Sequence, residues 1–168
     1  MGYWGYYVVG RSERPLAELV VPAGARGMAL RSTGPDGWQV WEYPGGGDGG
    51  VGSMNALARE TGAPALFGYV MDSDCVAVEA AAPDSGVWTT CLARDAMAGH
   101  LDGNEEGLSV DDCFLEPRDA AERAVAWAAE AGHTVAPEPL LDVLTADADL
   151  LAENLFFRLL DRLGVVPL

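Results

Sequence analysis

Gly47-Asp48-Gly49-Gly50-Val51-Gly52 has the spacing of a dinucleotide-binding fingerprint. Glycines at this spacing let a pyrophosphate approach backbone amides at a helix start. The run follows one predicted strand and precedes a predicted helix. The next predicted strand ends at Asp72, in the place of a ribose-binding acid. Three features oppose nucleotide binding. Six glycines in residues 45–52 match the pattern almost automatically. Pro44, Gly45 and Gly46 loosen the tight turn the motif needs. Asp48 puts negative charge where a pyrophosphate would sit. The segment reads as a flexible surface loop.

Asp72-Ser73-Asp74 presents two carboxylates and a hydroxyl to a hard cation, with Asp84 as a third carboxylate. The same residues are what a hairpin turn selects, through local side-chain to backbone bonds. The turn reading is preferred, so no metal and no cofactor are expected. His100 lies amid carboxylates, as a charge partner or as a general base oriented by one of them. His133 follows Gly132 after a predicted helix and reads as a capping or solvent-facing residue. Cys91 lies near Thr89 and Thr90, yet an isolated Cys and His without family spacing are not a dyad. Cys75, Cys91 and Cys113 form neither a CxxC pair nor a disulfide framework and read as reduced, buried thiols. There is no GxSxG. All ten basic residues are Arg. Without lysine, Schiff-base chemistry and a phosphate-loop lysine are excluded.

The densest charge feature runs from Asp95 to Glu116. Asp95, Asp102, Glu105, Glu106, Asp111, Asp112 and Glu116 are seven acids with no base between them. The chain carries 26 acids against ten bases, a net charge of −16. Such a balance disfavours nucleic acid, whose binding needs cations on phosphate. A concentrated acidic surface attracts basic proteins instead. Asp102, Glu105, Glu106, Asp111 and Asp112 are therefore the predicted protein-binding residues, steering an Arg/Lys-rich partner. The competing view is that these acids only keep an Ala-rich, apolar chain soluble. A second class of function is an enzyme or small-ligand binder with a cleft beside the sheet, lined by Trp38, Trp41, Asp72 and Asp74. Trp38 and Trp41, three apart on one strand, are expected on opposite faces.

These residues need elements to hold them. Residues 3–9, YWGYYVV, read as a strand, apolar on both faces and so central. Pro15 can open a short helix through Leu19. Met28 to Ser32 pairs with Trp38 to Tyr43 across Gly34-Pro35-Asp36-Gly37. Ser53 caps a helix that Gly62 ends. Ala65–Met71, Cys75–Ala81 and Val87–Leu92 read as an antiparallel meander. A helix starts at Pro117 and ends at Gly132. Pro137 and Pro139 interrupt before a short helix over Leu140–Leu144. The last helix is expected to start around Asp147 and Asp149 and to end at Gly164, with Arg158 and Arg162 near its C-terminal dipole. Leu151, Leu155, Leu159 and Leu163 form its stripe, widened by Phe156 and Phe157. That width fits either burial within the monomer or a homodimer through the Phe156/Phe157 helix.

The prediction is one α+β domain over 1–168: a mainly antiparallel sheet of five to six strands with C-terminal helices packed on one face. It divides into a strand-rich part (1–92), an acidic connector (93–116) and a helical part (117–168). No apolar run approaches the roughly 20 residues of a membrane span. The opening lacks a positively charged region followed by an apolar stretch, so the expected address is the cytoplasm. MGYWGYYVVGRSERPL and LARETGAPALFGYVMDSDCVAVEA resemble small actinobacterial proteins of uncharacterised function, over the first two thirds of the chain. That resemblance carries no catalytic residue. In size and acidity the chain is also similar in character to immunity proteins that neutralise secreted toxins, without a shared motif.

Overall fold

The structure is a computed structural model, and it describes residues 2–19, 28–44, 52–101, 109–147 and 151–167. Its frame is a six-stranded antiparallel sheet in the order β2-β3-β1-β4-β5-β6. The strands are β1 (Gly5–Arg11), β2 (Ala29–Thr33), β3 (Trp38–Pro44), β4 (Ala65–Met71), β5 (Cys75–Ala82) and β6 (Gly86–Leu92). The helices are α1 (Met54–Thr61), α2 (Arg94–Leu101), α3 (Val110–Cys113), α4 (Pro117–Glu130), α5 (Pro137–Thr145) and α6 (Ala152–Leu163). The α+β class holds, with the longest helices at the C-terminal end.

β1 is central, as its two-sided apolar pattern demands. It pairs with β3 on one side and β4 on the other. Tyr7 and Val9 point into the larger core with α4, α5 and α6, whereas Val8 points into a smaller core with α1. The C-terminal helices thus pack on one face, as expected, and α1 covers the other. α1 forms as its caps predict. Ser53 Oγ accepts the Ala56 N–H at 3.3 Å, and Gly62 closes the helix in the left-handed region. Its first amide, on Met54, donates to Glu79 Oε2 of β5 at 2.9 Å, which fastens the helix to the sheet.

The larger core is built on aromatics. Trp38 and Trp127 are fully buried with ring centroids 5.7 Å apart. Trp127 Nε1–H donates to the carbonyls of Ala65 (3.2 Å) and Ala81 (3.1 Å), so α4 is hydrogen-bonded to β4 and β5. Small residues of α4 (Ala120, Ala121, Ala124 and Ala128) let it lie close to the sheet. On α6, Leu155, Phe156, Leu159, Leu160 and Leu163 are buried and Leu151 is exposed. Phe156 sits against Gly68 of β4, where a methyl group would lie 2.5 Å from two ring atoms. The apolar breadth of α6 is thus used inside the monomer. Phe156 is not available to a partner, and Phe157 is half-buried.

Three local readings change. The stretch 93–116 is not a bare connector, since it forms α2 and α3. α2 leaves little trace in the sequence because Met97 is its one buried side chain, too little for a visible stripe. Pro137 and Pro139 do not interrupt a helix. They lie in the first turn of α5, where the amide a proline lacks has no helical partner to lose. α6 begins at Ala152 rather than near Asp147, and Glu153 supplies the acid of its first turn.

The two sheet edges are treated differently. The β6 edge is covered. Leu115 N–H donates to the Thr89 carbonyl at 3.0 Å, and Arg123 donates to the carbonyls of Ser85 and Val87 at 3.0 and 3.1 Å. The β2 edge carries a bulge between Leu30 and Ser32. Leu30 and Arg31 are exposed there. No described helix is long and apolar enough to cross a membrane.

Candidate functional site

Of the five predicted protein-binding acids, Asp102, Glu105, Glu106 and the Asp111 side chain lie outside the described residues. Asp112 is exposed on α3. Its Oδ2 accepts the Ser109 amide at 2.8 Å and the Ser109 hydroxyl at 3.0 Å, and these bonds hold its carboxyl below the usual carboxylate range. Asp112 is thus occupied by its own helix start rather than by an arginine. Around it, Asp95 of α2, Glu116, Asp119 and Glu122 at the start of α4, and Glu138 and Asp142 of α5 are all exposed or half-exposed. Residues 95–147 hold 13 acids and two arginines. One of those arginines, Arg123, is committed to the β6 carbonyls. The carboxylate excess therefore extends beyond the predicted segment, onto the outer helical layer. Glu130 is an exception within this layer. It is drawn to the β5–β6 turn, where it accepts the amides of Asp84 (2.7 Å) and Ser85 (2.9 Å) and the Ser85 hydroxyl.

The four residues predicted to line a ligand cleft do not meet. Trp38 and Trp41 occupy opposite faces of β3, as their spacing requires. Trp38 is sealed in the core. It pairs with Arg11 at one end of β1, whereas Asp72 and Asp74 lie in the turn beyond Val70, which pairs with Gly5 at the other end. Asp84 follows the far end of β5 from that turn, so it adds no third carboxylate. Among the described residues there is no group of three His, Cys, Asp or Glu able to hold a metal ion. Gly47 to Val51 lie outside the described residues; Gly52 adopts φ 87° before α1.

The Asp72–Ser73 turn instead organises a polar knot. Both residues have positive φ (52° and 54°), the geometry of a type I′ hairpin turn that glycine or asparagine would adopt more easily. Each such position costs about 1 kcal/mol, so the surroundings must enforce it. They do. Asp72 Oδ1 accepts the Gly2 amide at 2.7 Å. Ser73 Oγ accepts the Tyr3 amide at 2.8 Å and donates to Glu153 Oε2 at 3.1 Å. The Ser73 carbonyl accepts the Ala152 amide at 2.9 Å. One turn thereby ties the N-terminal segment to the start of α6. Glu153 Oε1 and the Tyr3 hydroxyl are buried without a hydrogen bond of acceptable geometry. Burial, followed by the neighbouring Glu42 carboxylate, pushes the Tyr3 phenol well above its ordinary range. The same two causes push Tyr7 up to about 12.

Ser73, Asp74 and His100 have the residue types of a hydrolytic triad but not its geometry. Ser73 is buried and its hydroxyl donates to Glu153. His100 Nε2 lies 3.5 Å from Asp74 Oδ2, its ring stands T-shaped to Trp4, and no hydrogen bond joins it to the Ser73 hydroxyl among the described residues. His133 follows α4, its amide donating to the Ala128 carbonyl at 2.9 Å, and its ring packs toward Gly164. Cys75 and Cys91 are buried, and Cys113 is half-buried. Burial pushes the Cys75 thiol up to about 12, far from a nucleophile's range.

Sequence reasoning missed a cleft of about 570 Å³ between β2 and α6. Arg31 and Ser32 of β2 and Asn154, Phe157 and Arg158 of α6 line it. The Arg31 guanidinium lies 5.2 Å from the Phe157 ring centre and 5.9 Å from that of Tyr7. In the sequence, Arg158 is marked only as a partner of the helix dipole. Two arginines on distant segments of an acidic chain leave no spacing to detect, and a strand bulge decides where Arg31 points. Comparison of the chain with protein-family models, with curated proteins and with solved structures returned no match.

Proposed function

We propose that this protein is a cytoplasmic binding module for a basic protein partner, engaged through the acidic surface of α2–α5, with the acids at positions 102, 105 and 106 adding to the same excess of charge. Neutralising a basic toxin is one instance of such a role. The carrying observation is the imbalance of 13 acids to two arginines across residues 95–147, with Asp95, Glu116, Asp119, Glu122, Glu138 and Asp142 all reaching solvent. Like charges held on rigid helices repel one another, and a cationic partner relieves that repulsion while being steered onto the surface. Asp102, Glu105, Glu106, Asp111 and Asp112 contribute five of those 13 acids.

The test compares partner capture by the native chain and by the variant Glu105→Gln/Glu106→Gln/Glu116→Gln/Glu122→Gln, using lysate of the source cells. Raising salt from about 0.1 M to about 1 M shortens the screening length from ~10 Å to ~3 Å. A partner held by charge is captured at the lower salt, released at the higher, and lost by the variant. A control variant, Glu13→Gln/Glu18→Gln/Asp36→Asn, removes acids elsewhere and retains the partner. Capture that survives both high salt and the four substitutions would refute the proposal.

A further inference from the structure

We propose that the β2–α6 cleft is a binding site for a small organic carboxylate with a flat apolar body, its carboxylate held between Arg31 and Arg158 and its body laid along Phe157. Register in β2 is the first support. Ala29 pairs with Glu42 and Leu30 with Trp41, but Ser32, not Arg31, pairs with Val40. Directly opposed residues share a face. Leu30 therefore lies on the Trp41 face with α1, and Ser32 lies on the Val40 face with α6. Regular alternation would have put Ser32 with Leu30. The bulge inserts Arg31 so that Arg31 and Ser32 stand side by side toward α6. Redirecting a side chain at a sheet edge is a recurrent use of such bulges beside functional sites.

The second support is the state of the two guanidiniums. In a chain of net charge −16, an exposed arginine is surrounded by possible partners. Yet no described carboxylate lies within salt-bridge distance of Arg31 or Arg158. Arg31 is oriented by the Phe157 and Tyr7 rings instead, which leaves its donors for a ligand. Asn154 and Arg158, four residues apart on α6, project on the same side of the helix, and Phe157 lies between them in sequence. The cleft volume of about 570 Å³ suits a small organic molecule. Arginine forks match carboxylate oxygens in bidentate fashion, and the Ser32 hydroxyl and Asn154 amide add neutral donors. Polyanions are disfavoured by the surrounding field, so a single small acid is the ligand class.

The test is an NMR titration of the full chain with three probes: benzoate, benzamide and inorganic phosphate. Benzamide keeps the ring without the charge, and phosphate keeps a charge without the ring. Benzoate should give saturable shifts at Arg31, Ser32, Asn154, Phe157 and Arg158, with Kd on the order of 1 mM for so small a ligand. Benzamide and phosphate should each bind at least about tenfold more weakly, as should benzoate to folded Arg31→Gln and Arg158→Gln variants. Equal binding of benzamide and benzoate would overturn the proposal. So would shifts that map elsewhere, or the absence of saturation with benzoate. The probe comparison uses the unaltered protein, so it remains decisive even if an arginine variant loosens the fold. None of these outcomes depends on the acidic helical layer.

Discussion

Replacing Gly68 by alanine tests how closely α6 is seated on the sheet. Two effects compete. In a strand, alanine loses less backbone entropy than glycine on folding, which favours the variant by about 0.5–1 kcal/mol. Against this, the new Cβ would lie 2.5 Å from Phe156 Cδ1 and Cε1 and 3.0 Å from Val76 Cγ1. Phe156 is fully buried, with the Tyr7 and Phe157 rings each 5.9 Å away, so its ring has little room to retreat. Overpacking of this kind costs roughly 1–3 kcal/mol, and here the upper part of the range applies because the obstacle is a rigid ring. The net expectation is a loss of about 1–2 kcal/mol, a Tm lower by about 2–8 °C for a chain of this size. Urea unfolding followed by tryptophan fluorescence measures it. Phe156→Leu alone leaves a cavity and costs about 1–2 kcal/mol. In the double variant the new methyl fills that cavity, so the combined loss should fall short of the sum by about 1 kcal/mol or more. A neutral or stabilised Gly68→Ala, or strict additivity in the double variant, would show that Phe156 does not rest on Gly68.

Trp127→Phe removes the indole N–H that serves the Ala65 and Ala81 carbonyls and part of the contact with Trp38. Urea unfolding should show a loss of about 2–3 kcal/mol, and a change under about 0.5 kcal/mol would refute the anchoring role. Desolvation raises the Glu130 pKa, but the bonds from Ser85 and Asp84 outweigh it and the net shift is downward. A folded pKa below the unfolded value means stability that is present above the unfolded value, near about 4.3, and lost as pH falls through the folded one. Glu130→Gln should therefore lower Tm at about pH 7, with the difference closing on acidification below about pH 4; a pH-independent difference would contradict this. With thiol reagents at neutral pH, Cys113 should label in the native protein, and Cys75 and Cys91 only after unfolding. Rapid native labelling of Cys75 would be incompatible with its burial.

Much of the frame was legible in the chain. The meander of β4, β5 and β6 was visible because strand composition and turn residues alternate within a few positions. The ends of α1 were visible because Ser53 and Gly62 act on backbone groups in the same turn. β1 was recognisable as central because both of its faces are apolar. α2 was not, since one buried Met97 leaves no period to detect. Prolines at 137 and 139 misled because their effect depends on where the helix starts: in the first turn they fit, whereas in the interior they would break it.

The candidate sites divide along the same line. Charge is additive along a chain, so the acidic excess between Asp95 and Asp147 is a property of the sequence itself. Facing and convergence are not additive. Trp38 became core, Trp41 went to the other face, and Asp72 and Asp74 went to the far end of the sheet. Arg31, Phe157 and Arg158 share a cleft only because a one-residue bulge in β2 turns Arg31 toward α6, and because Phe156 docking on Gly68 sets the position of that helix. Short-range hydrogen bonds and periodicity are written locally. Which distant side chains meet depends on strand register and on how the layers pack, and only the folded molecule settles those.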